Sequence, residues 1–199
     1  MKKVILSLIS INLAIILMVI VNINLNVPKH MAPHVVSILY PDGSIMGTGF
    51  NIEYKDKVFI LTNAHICSDN VELKTSQGLK KVIKQSDSSD LCLLESSATS
   101  GLTLSLREPA KFSIVHIVGH PGGWRLTARS GLTTGIEMQN KVRHRHVAVP
   151  AFPGNSGSPG CNANGEVVGV LSMVSMKTFE DTFFVPLDEI KVFMERHGR

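Results

Sequence analysis

The sequence is poor in the residues that mark several protein classes. Charged side chains make up 18% and aromatic side chains 6% of its 199 residues, and its 16 glycines and 9 prolines follow no repeat. Collagen-like, coiled-coil and wholly disordered chains are excluded, because 44% of the residues are hydrophobic and can bury a core. A chain of this length forms one domain with a sizeable core, or two small lobes that share an interface.

The chain also lacks a marked excess of positive charge outside its N-terminus. Its formal net charge is +4, but residues 34–199 carry 17 basic and 16 acidic side chains. Nucleic-acid binding requires a basic surface, so we expect no nucleic-acid partner.

Cysteine is scarce as well. Cys67, Cys92 and Cys161 are the only three, and their spacing matches no metal site. An odd number cannot pair completely, so each cysteine is expected to behave as a small buried hydrophobic residue. The sequence predicts no metal and no other cofactor.

The N-terminus carries a long apolar run. Residues 4–21 are predominantly apolar, and no charge occurs between Lys3 and Lys29. As a helix, this run is long enough to cross the ~30 Å hydrocarbon layer. A cleaved signal peptide is the alternative, but the small residues of a cleavage site are missing. We expect residues 1–33 to be a signal anchor, or a signal peptide, with a short linker, and residues 34–199 to be an extracytoplasmic domain that is membrane-anchored or, after cleavage, secreted.

From residue 34 onward, short apolar runs rich in β-branched residues alternate with turn residues. Such runs at near-regular spacing are typical of an all-β fold, either antiparallel barrels or a sandwich. Only the C-terminal segment shows helical spacing, at Leu187, Ile190, Phe193 and Met194, which predicts a terminal helix. The predicted strand segments are 34–40, 44–53, 58–61, 90–94, 113–118, 146–149 and 166–171.

Three polar residues stand at the ends of such segments. His65 follows an apolar run, Asp90 precedes another, and Ser156 lies in a loop with glycine on both sides. Taken singly, each is more often structural than catalytic. Together they fit one chemistry, because a serine nucleophile needs a base, and the base needs a partner that fixes its tautomer. We predict Ser156 as nucleophile, His65 as base and Asp90 as the orienting acid.

A serine nucleophile also needs backbone amides that bind the negative oxygen of the tetrahedral intermediate. Gly154 lets the loop turn so that its amide and that of Ser156 converge, and the predicted oxyanion hole comprises Gly154, Asn155 and Ser156. An α/β-hydrolase is excluded, because it requires glycine where Ser158 stands and a histidine after the serine. Here the one later histidine, His197, is almost the last residue.

Residues 34–195 contain five motifs: Met46-Gly-Thr-Gly-Phe50, Thr62-Asn-Ala-His65, Asp90-Leu-Cys-Leu-Leu94, Gly154-Asn-Ser-Gly157 and Gly165-Glu-Val-Val-Gly-Val170. Together they resemble the successive motifs of trypsin-like serine proteases of the HtrA/DegP type. The order histidine, aspartate, serine agrees with this family. The resemblance implies a chymotrypsin-like double β-barrel, with His65 and Asp90 on the first barrel and Ser156 on the second. Asp87 is a weaker alternative for the acid, since it lies farther from the strand that would anchor it.

The sequence departs from this family at several positions. Cys67 stands where digestive proteases carry a disulfide, but Met46 occupies the place of the partner, so we expect that bridge to be absent. Asn155 replaces the aspartate of zymogen-activated relatives, which predicts no activation by N-terminal cleavage. Ser158 replaces a glycine and leaves the loop amides in place. Because the sequence stops at Arg199, we expect no PDZ module of the kind typical of HtrA proteins.

The resemblance also implies a specificity. Pro150 would form the base of the primary pocket, and Ser172, Met173 and Val174 its wall. No acid at the base would attract lysine or arginine, and Val174 fills space that glycine leaves open in trypsin. We expect cleavage after small aliphatic residues such as valine or alanine. Because the wall strand would pair with the substrate, extended or unfolded polypeptides are the expected substrates.

Three functions fit this interpretation: a membrane-tethered endopeptidase, a non-catalytic peptide-binding or chaperone-like module, and an esterase or acyltransferase. The complete set of catalytic residues favours the endopeptidase. HtrA-type domains often trimerise, so a homo-oligomer is a further expectation.

The segment 141–146 is interpreted as a solvated face of alternating charge, although His144 and His146 would share one face of a strand.

Overall fold

The chain folds into two closed antiparallel barrels of six strands each, followed by a helix, as the computed structural model of residues 12–14, 26–139, 142–175 and 180–198 describes it. This architecture confirms the predicted all-β double barrel with a C-terminal helix. The first barrel comprises β1 (Val35–Leu39), β2 (Ile45–Tyr54), β3 (Lys57–Thr62), β4 (Glu72–Thr75), β5 (Gly78–Ser86) and β6 (Leu91–Glu95). The second comprises β7 (Ile114–Gly119), β8 (Thr127–Gln139), β9 (Val142–Ala148), β10 (Pro159–Cys161), β11 (Val167–Val174) and β12 (Asp181–Pro186). Of the helices, α1 (Ala64–Cys67) follows β3 and α2 (Leu187–His197) follows β12.

The strand order brings distant segments of the chain together. In the first barrel it is β1-β2-β3-β6-β5-β4, so β3 and β6 are neighbours although β4 and β5 lie between them in sequence. Thr62 at the end of β3 faces Cys92 near the start of β6. The residues that follow β3 and those that precede β6 therefore meet at one end of this barrel. The second barrel has the order β10-β11-β12-β9-β8-β7.

Three buried apolar clusters among the described residues stabilise this arrangement. One fills each barrel, and the third lies between the barrels and under α2. Phe50, Leu91, Val170 and Ile190 of the third cluster are fully buried and come from both barrels and the helix. Burying a side chain of this size contributes about 1.5 to 3 kcal/mol, so the cluster fixes the barrels against each other. The four apolar residues that predicted α2 are all buried.

The packed body begins upstream of β1. Residues 26–31 are helical, and their Val27 and Met31 join the cluster between the barrels, with 6% and 0% of their surface exposed. The predicted membrane segment 4–21 lies outside the described residues except for residues 12–14. Within the described ranges, no helix has the length and apolar character needed to span a bilayer.

The interpretation of segment 141–146 as a solvated face is wrong for its last three residues. They belong to β9, which is paired on both sides, and none of the three is exposed. Arg145 is buried and donates a hydrogen bond to Glu108 at 2.5 Å. His146 Nε2 lies 2.8 Å from Asp181, and His144 is buried as well.

The expectation that all three cysteines stay unpaired is also wrong. Cys67 and Cys92 form a disulfide, with Cα atoms 6.5 Å apart, while Cys161 is free and buried. Burial raises the pKa of the Cys161 thiol far above its usual range. The odd number of cysteines excluded complete pairing but not a single pair, and the partner of Cys67 comes from β6 rather than from the position of Met46.

Candidate active site

The proposed base, His65, lies on a single helical turn at the end of β3. Asn63 precedes the turn in an extended conformation, and Ser68, the residue after α1, has a φ of 42° in the left-handed region. Ile66 and Cys67 of the same turn are buried, whereas 47% of the His65 side chain is exposed. The turn is therefore anchored by its apolar residues and presents the imidazole to solvent.

Asp90 is held just before β6 in an unusual backbone conformation. Its φ is 49°, which is uncommon for a residue other than glycine and costs free energy. The Asn63 side-chain amide donates a hydrogen bond to the Asp90 carbonyl at 3.0 Å, and the Asp90 amide donates to the carbonyl of Asp87 at 3.2 Å. These two bonds hold the strained residue in place and direct its carboxylate toward α1.

The carboxylate of Asp90 meets the imidazole of His65. His65 Nδ1 lies 2.9 Å from Oδ1 and 3.0 Å from Oδ2, and the His65 backbone amide donates to Oδ1 at 3.1 Å. Because a carboxylate can only accept, the proton on this side of the ring sits on Nδ1. The Nε2 lone pair is then free to accept a proton from a nucleophile.

Asp90 rather than Asp87 is the acid that the fold brings to His65. Asp87 is exposed, and its carboxylate accepts a hydrogen bond from Gln85 at 3.0 Å. Burial of Asp90 raises the pKa of its carboxyl, but the hydrogen bonds from His65 and Ser172 outweigh burial and leave this pKa below its ordinary value. Asp90 is therefore ionised at neutral pH.

Ser172 has a contact that the sequence did not indicate. Its hydroxyl donates a short hydrogen bond to Asp90 Oδ2. A bulge in the pairing of β11 with β12, between Leu171 and Met173, leaves Ser172 without a cross-strand partner and lets it face the first barrel. The sequence analysis assigned Ser172 to a pocket wall; a lone hydroxyl in a buried apolar strand was the signal for a polar partner.

The loop of Ser156 reaches from the second barrel onto β2 and β3 of the first. The Ser156 carbonyl accepts a hydrogen bond from the Thr48 amide at 2.8 Å. Gly157 has a φ of 85°, and a side chain there would overlap the Thr48 carbonyl and the Thr62 hydroxyl. Thr62 lies three residues before His65, so the serine loop rests directly beside the strand that leads to the imidazole.

Two amides of this loop have no acceptor among the residues that the structure describes: those of Gly154 and Ser156. The Asn155 amide between them donates to the Phe152 carbonyl at 3.0 Å. The Gly154 carbonyl is turned away and accepts a hydrogen bond from the Thr48 hydroxyl at 2.7 Å. Of the three residues predicted for the oxyanion hole, Gly154 and Ser156 thus have amides available for a ligand.

The turn His120-Pro-Gly-Gly123 supports the serine loop from behind. The Gly122 amide donates to the Pro153 carbonyl at 2.6 Å, and His120 Nδ1 lies 3.4 Å from the Thr48 hydroxyl. A side chain at Gly154 would overlap the His120 carbonyl, so the close approach requires glycine. Burial lowers the pKa of His120, which keeps the ring neutral at pH 7.

An open depression of about 340 Å³ lies beside the His65–Asp90 pair and is lined from both barrels. Ala64 and Asp87 line it on the first barrel, and His144 and Met173 on the second. The other predicted pocket residues lie on the second barrel: Pro150 is exposed, and Val174 is half-buried against the barrel core. This depression offers space for a ligand next to the imidazole.

The double barrel, the His65–Asp90 pair and the serine loop together define a class of protein. The family model of the trypsin-like peptidase domain matches residues 47–170, and the chain belongs to this family. Its relatives are serine proteases of the HtrA/DegP type. A DegP-like periplasmic serine endoprotease of Pseudomonas fluorescens is 31% identical over 158 residues, which cover 72% of this chain and 33% of that protein. The mitochondrial serine protease HTRA2 of Drosophila grimshawi is 31% identical over 172 residues, or 75% and 38% of the two chains.

The chain spans about a third of the length of these curated relatives. Two solved structures show the same fold. The active form of the Rv3671c protease from M. tuberculosis superposes with a TM-score of 0.72 at 22% identity, covering 86% of this chain and 84% of that one. The serine endoprotease of Yersinia pestis gives a TM-score of 0.71 at 22% identity, covering 86% and 65%.

The lowered pKa of Asp90 predicts a pH dependence of stability. A carboxyl with a folded-state pKa below its ordinary value of 3.8 stabilises the fold above that value and loses this contribution as the pH falls through the folded-state pKa. We expect Asp90→Asn to lower the free energy of unfolding by about 1.5 to 3 kcal/mol at pH 6, the range for hydrogen bonds to a charged group. The difference from wild type should shrink as the pH falls below about 4.

Denaturant titrations of both proteins between pH 6 and pH 3, with the disulfide intact, measure this difference. Asp87→Asn is the matched control for an exposed carboxylate on the same turn. A difference between wild type and Asp90→Asn that stays constant over the whole pH range would contradict the assignment.

Proposed function

We propose that this protein is a serine endopeptidase that hydrolyses extended or unfolded polypeptides through an acyl-enzyme. The observation that carries the proposal is the Asp90 carboxylate, bonded to His65 on one barrel and Ser172 on the other. The serine loop beside it, with the free amides of Gly154 and Ser156, supplies the remaining groups that acyl transfer needs. The names of the relatives, all serine proteases, agree with this chemistry.

In the first half of the proposed reaction, the Ser156 hydroxyl oxygen attacks the carbonyl carbon of the scissile peptide bond. His65 Nε2 accepts the hydroxyl proton, and Asp90 stabilises the imidazolium that forms. The carbonyl oxygen becomes an oxyanion and accepts hydrogen bonds from the amides of Gly154 and Ser156. His65 then gives its proton to the leaving amine, the C–N bond breaks, and an ester to Ser156 remains.

In the second half, water takes the place of the amine. His65 removes a proton from the water, whose oxygen attacks the ester carbonyl through a second oxyanion at the same amides. Collapse returns the proton to Ser156 and releases the new carboxyl terminus. His65 thus serves first as base and then as acid in each half, while its Nδ1 proton stays on the imidazole and is donated as a hydrogen bond to the ionised Asp90 carboxylate throughout.

The nucleophile can be tested directly with a fluorophosphonate probe, which reacts with an activated serine. We expect wild type to be labelled and to cleave casein, and Ser156→Ala to lose labelling and about a millionfold in turnover, since the triad acts as a unit. Ser158→Ala is the matched control, because that hydroxyl is buried and has no partner among the described residues. Wild-type protein that is folded but neither labelled nor active would indicate the non-catalytic peptide-binding module instead.

The primary specificity pocket is proposed to lie between Pro150 and the segment Ser172 to Val174. The Pro150 carbonyl accepts a hydrogen bond from Arg129 at 3.4 Å, and the Arg129 guanidinium stacks on the Phe152 ring at 5.2 Å. A positive charge therefore sits next to the pocket base and would repel lysine or arginine side chains of a substrate. Val174 limits the depth, which favours valine and alanine.

A peptide-library digest tests this specificity. We expect wild type to cut after valine and alanine, and Val174→Gly to extend cleavage to leucine and phenylalanine because the pocket becomes deeper. The measurement is the distribution of residues on the amino side of the cut, read by mass spectrometry. Wild-type cuts that fall mainly after lysine, arginine or phenylalanine would rule out the proposed pocket.

We also propose that residues 1–33 anchor the enzyme in a membrane and that residues 34–199 form an extracytoplasmic peptidase domain. The support is the apolar run 4–21 behind a lysine pair, together with the periplasmic relatives. The helix 26–31 packs on the body, so the anchor would be joined to the domain by only a few residues.

Fractionation of expressing cells tests the anchor. We expect the intact chain in the membrane pellet after alkaline carbonate extraction, and a variant without residues 4–21 in the soluble fraction. Mass spectrometry of the wild type separates the two modes of export. A shortened soluble form would support secretion after cleavage, and the intact mass in the soluble fraction would contradict both.

A further inference from the structure

The Cys67–Cys92 disulfide joins the two segments that carry the proposed base and acid. Cys67 ends the helical turn α1, two residues after His65, and Cys92 lies in β6, two residues after Asp90. The two cysteines are 25 positions apart in sequence, and the chain between them passes through β4 and β5 before it reaches Asp90 and β6. The disulfide therefore links the base to the acid by a short covalent path.

The segments on either side of this link are poorly held by their own backbone. The turn α1 has four residues and no side-chain N-cap, and an isolated turn of this length is unstable. After α1 the chain continues through Ser68 and Asp69, whose φ values of 42° and 59° both lie in the left-handed region. Asp90 has a φ of 49° on the opposite segment. Such conformations persist only where the surrounding structure determines them.

The sheet does not supply this support by itself. The ladder between β3 and β6 ends at the pair Thr62 and Cys92, so His65 and Asp90 both lie beyond its last pair. Beyond that point, the hydrogen bonds between the described residues of the two segments are the Asn63 bond to the Asp90 carbonyl and the bonds of His65 to the Asp90 carboxylate. The apolar residues of α1 pack in the cluster that fills the first barrel, and the disulfide adds a covalent link. Among these contacts, the disulfide is the covalent one, and it does not depend on the charge or the orientation of the Asp90 carboxylate.

We propose that the Cys67–Cys92 disulfide is a positioning element that holds His65 and Asp90 in their catalytic geometry, so that the peptidase reaches full activity only after this bond has formed. The inference rests on the proposed function. It makes activity dependent on the redox environment in which the chain folds, which suits a domain exported to an oxidising compartment.

The bond is built for formation during folding rather than for rapid switching. Both cysteines are fully buried in the cluster that fills the first barrel, beside Ile60 and Leu94. A reductant reaches them only when α1 opens. Formation removes two protons and two electrons from the thiols and passes the electrons to a disulfide oxidant; reduction by dithiothreitol reverses this and leaves the reagent as its cyclic disulfide.

The test is a double-mutant cycle on the rate of labelling by a fluorophosphonate probe. We expect the variant Cys67→Ala/Cys92→Ala to label about a hundredfold more slowly than wild type, the loss caused by misplacement of a catalytic group by about 1 Å. Cys161→Ala, which removes the free buried cysteine, is the matched control and should label like wild type. Equal labelling rates of wild type and folded Cys67→Ala/Cys92→Ala would overturn the proposal.

The cycle is completed with Asp90→Asn, alone and combined with the cysteine substitutions. If the disulfide acts through Asp90, the combined variant labels hardly more slowly than Asp90→Asn alone, because residues that act as a unit are not additive. A purely structural role gives effects that multiply, and that result would also overturn the proposal. Far-UV circular dichroism confirms that each variant is folded at the assay temperature.

If Cys67→Ala/Cys92→Ala does not fold, wild type is partly reduced with dithiothreitol and its free thiols are alkylated after labelling. The proposal expects the labelled molecules to be those in which Cys67 and Cys92 are not alkylated; equal labelling of both populations overturns it.

If even oxidised wild type is not labelled, the proposed function fails, and the low-field proton resonance of His65 Nδ1–H decides the inference. That resonance should be present in oxidised and lost in reduced protein, and its persistence in both overturns the inference.

Discussion

The carboxylate of Asp90 is the interaction on which the site depends. It is partly withdrawn from water, and an ionised group in that position must be fully hydrogen-bonded to remain charged. The first barrel supplies the His65 imidazole and amide, and the second supplies the Ser172 hydroxyl. The same carboxylate therefore fixes the tautomer of the proposed base and ties the two barrels together at the cleft. A change in the packing of either barrel would be felt at the imidazole.

Much of the fold could be predicted from the sequence, because strands that fill a barrel or the space between barrels carry continuous apolar runs. Segments such as β3, β6 and β11 are of this kind, and the four apolar positions of α2 follow helical spacing. The strands β5 and β8 were not predicted, since neither carries a run of buried apolar side chains and their exposed positions mix polar and apolar residues. They are strands because the neighbouring strands on both sides pair with their backbone amides and carbonyls. The pattern of side chains along the sequence does not reveal such pairing.

The site was predictable to the extent that chemistry restricts residue types. The pairing of His65 with Asp90 followed from the needs of a serine nucleophile, whereas the role of Ser172 depends on a bulge in β11 that sequence patterns do not specify. The disulfide was missed because the parity of three cysteines says nothing about a single pair. The burial of Arg145 was missed because a sequence of alternating charges is the same for an exposed strand and for a strand paired on both sides. The structure distinguishes the two by the hydrogen bond that Arg145 donates to Glu108.

The relative position of the proposed base and the proposed nucleophile depends on β2, which carries neither. Thr48 on this strand binds the Ser156 carbonyl through its amide and the Gly154 carbonyl through its hydroxyl. The next strand, β3, is paired with β2 in register and leads directly to His65. Because side chains alternate along a strand, a slip of one residue in this pairing would turn the Thr48 hydroxyl to the other face of the sheet. The position of the Ser156 loop relative to His65 is thus set by the register of β2 with β3 rather than by the loops themselves.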